Sequence, residues 1–141
     1  MSKDCFQETY FDEFMELVSD SDNMVRIKAF EAAGKLINKG ILNESQISNE
    51  ILPMFLKFTQ TVLEDEDGMQ IMAQMFGHFI FSIYTQHEEL IIKNSQAFCK
   101  FYELCTKSKD AQTRENAAYN FPCVFNIFGR MKPIDFPEML Q

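Results

Sequence analysis

Apolar positions in this chain recur at i, i+3, i+4 and i+7 in most of six stretches, the period of a helix with one buried side. They predict first helices over 6–18, 48–63 and 89–106, and second helices over 22–38, 66–85 and 110–128. Short polar turns, "SDSD", "EDED" and "KSKD", join each first helix to its second. Asp22, Glu66 and Asp110 are expected to open the second helices, where a carboxylate meets free backbone N–H groups and the positive dipole end. Gly40 and Gly129 are placed to close helices, and Pro53 and Pro133 fall near the starts of first helices. Pro122 stands inside the last helix, so a kink is expected near Tyr119–Asn120.

The six helices form a repeat of 44 residues. Asp22 falls on Glu66 and Asp110, Arg26 on Gln70 and Arg114, Ala29 on Ala73 and Ala117, and Leu36 on Ile80 and Val124. Upstream, Tyr10 falls on Met54 and Phe98, and Phe14 on Phe58 and Tyr102. Single matches mean little; a register shared by both helices of each unit means a repeated hairpin. A two-helix unit of this length has the period of HEAT and armadillo repeats, which bury their apolar faces by stacking. The fold expected is all-α: an α-solenoid of HEAT-type hairpins, with units at 6–38, 48–85 and 89–128 and a fourth begun at 133–141. The unfinished unit suggests a segment of a longer solenoid.

The register also places polar residues together. Arg26, Gln70 and Arg114 lie near the starts of the second helices, beside the carboxylates of the turns. Stacking puts these turns in a row, so each Arg is expected to bond carboxylates or turn carbonyls of its own or the next unit, with Gln70 keeping the hydrogen bond without the charge.

Composition narrows the function. The formal net charge is −8, which excludes a basic footprint for tracking phosphates and disfavours adhesion to anionic lipid. The acidic start "MSKDCFQETYFDEF" has no apolar signal core, and the longest nearly apolar run, "MAQMFGHFIFSIY", is too short to span a bilayer. Neither nucleic acid nor a membrane is expected as a partner, and the cytoplasm, with the nucleus also open, is the expected location. Cys5, Cys99, Cys105 and Cys123 form no C-x-x-C pair and are read as reduced structural thiols.

Signs of catalysis or cofactor binding are weak. "AAGKL" at 32–36 lacks the first Gly and the Ser or Thr of a phosphate loop, and "DEDG" at 65–68 lacks the end carboxylates of a calcium loop. His78 and His87 have no Cys or carboxylate at ligand spacing on a shared face, so no metal site, cofactor or catalytic residue is expected.

Two segments carry a family resemblance. "FMELVSDSDNMVRIKAFEAAGKLI" (14–37) resembles units of the HEAT-repeat regulatory scaffold subunits of protein phosphatase 2A-type enzymes, through Leu17, Ser19, Asp20, Val25, Arg26, Ala29 and Phe30. "AAYNFPCVFNIFGR" (117–130) is similar to the subunit 1 type of protein phosphatase 4 regulatory subunits, through Ala118, Tyr119, Pro122, Val124, Gly129 and Arg130. Members of that group are longer, with more repeats. The resemblance implies a non-enzymatic scaffold that binds a serine/threonine phosphatase catalytic subunit and directs it to substrate proteins. It also implies that the turns within repeats form the contact ridge: Ser19, Asp20 and Asp22; Glu64, Asp65, Glu66 and Asp67; Lys107, Lys109 and Asp110. The alternative is a HEAT or armadillo adaptor, such as a transport receptor, gripping peptide along its second helices. That reading expects a repeated side chain there, whereas Lys28, Met72 and Asn116 differ.

Overall fold

A computed structural model describes residues 2–129. The partial unit at 133–141, with Pro133 and Arg130, lies outside the described residues. Seven helices are present and no strand among the described residues: α1 (3–18), α2 (Asn23–Asn38), α3 (44–61), α4 (Glu66–Gln86), α5 (Glu88–Lys93), α6 (Ser95–Thr106) and α7 (Ala111–Phe128). α1 pairs with α2 and α6 with α7, while α4 lies between α2 and α7 and packs on both. The three second helices therefore sit side by side in chain order, and α3 also meets α6.

The phenylalanine-rich composition becomes a spine of rings through this stack. Phe30 of α2 meets Phe55 of α3 at 5.2 Å between centroids, and Phe55 stacks on Phe79 of α4 at 4.2 Å. Phe76 of α4 meets Phe98 of α6 at 6.1 Å, and Phe98 meets Phe128 of α7 at 6.5 Å. All six are buried. Rings at these separations add edge and offset contacts to the area each removes from water, so the spine ties consecutive hairpins into one core.

Local chemistry fixes the helix ends. Asp22 and Asp110 cap α2 and α7, accepting from Met24 and Val25 N–H and from Thr113 N–H respectively. In the middle unit the cap is Asp65, one residue before the expected Glu66, because a 3₁₀ turn over Val62–Glu64 precedes it; Asp65 accepts from the Gly68 N–H. Gly40 has φ of +69° and ends α2 in a Schellman turn, with Gly40 N–H on the Ile37 carbonyl and Ile41 N–H on the Leu36 carbonyl. Gly129 closes α7 with φ of −66°, without a left-handed turn.

The bounds of the first helices differ from expectation. α3 begins at Glu44 rather than at 48, because Asn43 and Gln46 form a reciprocal capping box. Pro53 stands in the first turn of the regular α-helical stretch Leu52–Thr61, as expected, directly after a widened turn at Ile47–Ile51, where the missing N–H is accommodated. The last first helix is broken between α5 and α6 at Asn94, whose side chain bonds the Leu90 carbonyl and competes with the helical ladder. α7 runs unbroken through Pro122.

Candidate functional site

The first and third turns within hairpins are built alike. In the first, the Asp22 N–H bonds Asp20 Oδ1 at 2.8 Å; in the third, the Asp110 N–H bonds Ser108 Oγ at 3.1 Å. Amide side chains then link one turn to the next. Asn23 Nδ2 donates to Asp65 Oδ2 at 2.9 Å, and Gln70 Nε2 donates to Asp110 Oδ2 at 3.0 Å. Asp65 and Asp110 thus each serve their own helix and the preceding unit. Asn23, the Gly68 N–H and the Asp67 N–H hold the Asp65 carboxyl below the usual carboxylate range against a smaller opposing effect of burial. The backbone and hydroxyl of Thr113, with Gln70, do the same for Asp110.

The expected polar ladder forms at Gln70 and Arg114 and fails at Arg26. Arg114 Nη1 donates to the Ser108 carbonyl of its own turn at 2.7 Å. Arg26 enters no ion pair among the described residues. Its guanidinium lies 4.6 Å from the centroid of the Phe58 ring in the next unit, and its buried Nε has no hydrogen-bond partner. The link between first and second units comes instead from Asn23, which the register did not single out.

On the turn row, Ser19, Asp22, Glu64, Glu66, Asp67, Lys107 and Lys109 are exposed, while Asp20, Asp65 and Asp110 are half-buried. Glu64, Glu66, Lys107 and Lys109 line one cleft of about 530 Å³ between the second and third turns. The row is acidic over two turns and gains lysines at the third.

A second surface runs along the second helices. A groove of about 390 Å³ between α2 and α4 includes Glu31, Lys35, Asn38, Gln74 and His78. The next, about 560 Å³ between α4 and α7, shares Gln74 and His78 and adds Glu115, Tyr119 and Cys123. Tyr119 is 87% exposed, far more than any other large apolar or aromatic side chain among the described residues. Asn116, at the edge of that groove, is already committed to the Gln70 carbonyl at 2.8 Å.

Sequence spacing missed one cluster. Glu44 at the start of α3 approaches His87 and Glu89 at the α4–α5 junction, with one ligand-type atom from each within 4.8 Å of the others. Glu89 is two positions after His87, but Glu44 is 43 positions upstream, so no local motif reveals the three together.

No described helix is long and apolar enough to cross a membrane. No family model matches the chain, and neither the curated proteins nor the solved structures contain a match.

Proposed function

We propose that this chain is a HEAT-type repeat array that acts as a non-catalytic regulatory scaffold, binding a serine/threonine phosphatase catalytic subunit of the 2A or 4 type in the cytoplasm or nucleus. The observation that supports the scaffold reading best is the chain-ordered packing of α2, α4 and α7 on a 44-residue register, with their turns linked in a row. Such a row offers an extended partner surface from a small number of repeated contacts. The choice of partner comes from the resemblance of residues 14–37 and 117–130. The acidic turns and the lysines beside them supply the charge that would orient a partner.

The test is binding of the full chain to purified phosphatase 4 and phosphatase 2A catalytic subunits. Capture of either is expected, with loss on charge reversal at Glu64, Glu66 and Asp67. Absence of binding to both overturns the reading. Exposed Tyr119 above the α4–α7 groove favours the second reading, a peptide-binding adaptor. Under that reading Tyr119→Ala abolishes partner binding and the charge reversals leave it intact.

A further inference from the structure

We infer that Glu44, His87 and Glu89 form a binding site for a divalent transition-metal ion of the zinc class, which staples the second hairpin to the third. The donor set is one imidazole and two carboxylates, drawn from two separate places in the chain. With a neutral imidazole, two carboxylates balance a doubly charged ion. A mixed nitrogen and oxygen set suits zinc or cobalt, whereas magnesium and calcium favour oxygen alone.

The ligands stand on held backbone. Glu44 is the first residue of α3 and sits inside the Asn43–Gln46 capping box, with Asn43 Oδ1 accepting from the Gln46 N–H at 2.9 Å and Gln46 Oε1 from the Asn43 N–H at 3.0 Å. Gln7 of α1 braces that box by donating to Gln46 Oε1 at 2.6 Å and to the Ile41 carbonyl at 3.1 Å. His87 is fixed at both backbone groups. Its N–H bonds the Ile83 carbonyl at 2.7 Å as α4 ends, and its carbonyl accepts from Leu90 N–H at 3.0 Å as α5 begins.

Charge points the same way. Neither Glu44 nor Glu89 forms an ion pair among the described residues. The last turn of α4, a helix of 21 residues, contains no basic side chain to meet its negative dipole end. Ligand atoms around zinc lie roughly 2.0–2.2 Å from the metal. Donors already within 4.8 Å of one another therefore need only small rotations, of the exposed Glu44 and Glu89 and the half-buried His87, to close on an ion.

The experiment is calorimetric titration of the metal-free full chain with Zn²⁺, on a Cys5→Ser background that removes the exposed thiol, with melting temperature read in parallel. Expected are one-to-one binding, a raised melting temperature, and no competition from excess Mg²⁺ or Ca²⁺. His87→Asn and Glu44→Gln should each weaken binding at least about tenfold, the loss seen on removing even an outer-shell partner. His78→Asn, on the exposed face of α4, should leave it unchanged. Circular dichroism verifies that the variants fold. Absence of heat and of stabilisation at millimolar Zn²⁺, or affinity that survives both substitutions, overturns the assignment.

Discussion

One side-chain amide joins the last two second helices through backbone rather than side chains. Asn120 of α7 accepts the Gly77 N–H of α4 on Oδ1 at 2.8 Å, while its Nδ2 donates to the Ala73 carbonyl at 3.0 Å. Residues 73 and 77 are four apart, so the amide straddles one rung of the α4 ladder. The same Nδ2 is shared with the Gln74 and Asn116 carbonyls, and Asn120 is buried. Cys123, a turn further on, lies 3.2 Å from the Gly77 carbonyl. This approach needs a residue without a Cβ at 77, because a methyl there would overlap Asn120 Oδ1.

Gly77→Ala should therefore destabilise the fold, although alanine is the better helix former. The cost expected is about 2–4 kcal/mol, from forcing the helices apart and leaving buried amide groups without partners. Asn120→Asp should be worse than Asn120→Ala, since a carboxylate turns its second oxygen toward three carbonyls. Urea denaturation of the three variants checks both statements. A stable Gly77→Ala protein would mean that the α4–α7 contact gives way freely.

How much of this was legible can be judged residue by residue. The amphipathic period and the Asp caps are local signals, so the hairpins and their register follow from the chain itself. Asn43–Gln46 is also a local capping pattern, and its neglect misplaced the start of α3. Gly77, alone in an apolar helix, hints that another backbone or side chain comes close, but its partner 43 residues on depends on how α4 meets α7. The link from Gln70 to the next turn followed from the register, whereas the link between the first two turns was expected from Arg26 and is made by the shorter amide of Asn23. Glu44 and His87 are 43 residues apart, and only the tertiary fold brings the start of α3 to the end of α4.

Acid should loosen the turn row before it loosens the core. Asp65 and Asp110 are both held below the ordinary value of 3.8 by the hydrogen bonds they accept. A folded-state value lower than the unfolded one stabilises the fold above the unfolded value, and this stability disappears as pH falls through the folded value. Melting temperature should accordingly lose the contribution of these two groups below about pH 4, and not between pH 7 and 5. Asp65→Asn with Asp110→Asn keeps capping oxygens and removes the titration, so its acid limb should be flatter than that of the parent protein.

Thiol reactivity should sort the cysteines by depth. Burial pushes Cys105 up to about 12 and raises Cys123 as well, so the reactive thiolate is scarce at neutral pH. Cys99 is buried and Cys5 is exposed. Native protein treated with iodoacetamide should be alkylated first at Cys5, more slowly at Cys123, and at Cys99 and Cys105 only after unfolding, as peptide mass mapping would read. Tyr102, next to Cys105 in this core, donates to the Ala117 carbonyl and is itself raised to about 12, chiefly by burial. Early labelling of Cys105 in the folded protein would contradict the packing of α6 on α7.

Arg26 offers a direct test of whether charge or shape holds the first two units together. Its guanidinium gains about 0.5–2 kcal/mol from the face of Phe58, while its buried, unpartnered Nε costs roughly 1–3 kcal/mol. These nearly cancel. What remains is the stem, which covers apolar surface between α2 and α3 whatever stands at its tip. Arg26→Met retains a flexible stem and puts sulfur against the ring, so its stability should lie within about 1 kcal/mol of the parent. Arg26→Ala removes the stem and should cost more, about 1–2 kcal/mol, with a salt dependence like that of the parent protein. Equal losses for Met and Ala, with a parental stability that falls steeply as salt rises, would restore an arginine–carboxylate link and remove the amide pair Asn23–Asp65 from its place as the tie between those turns.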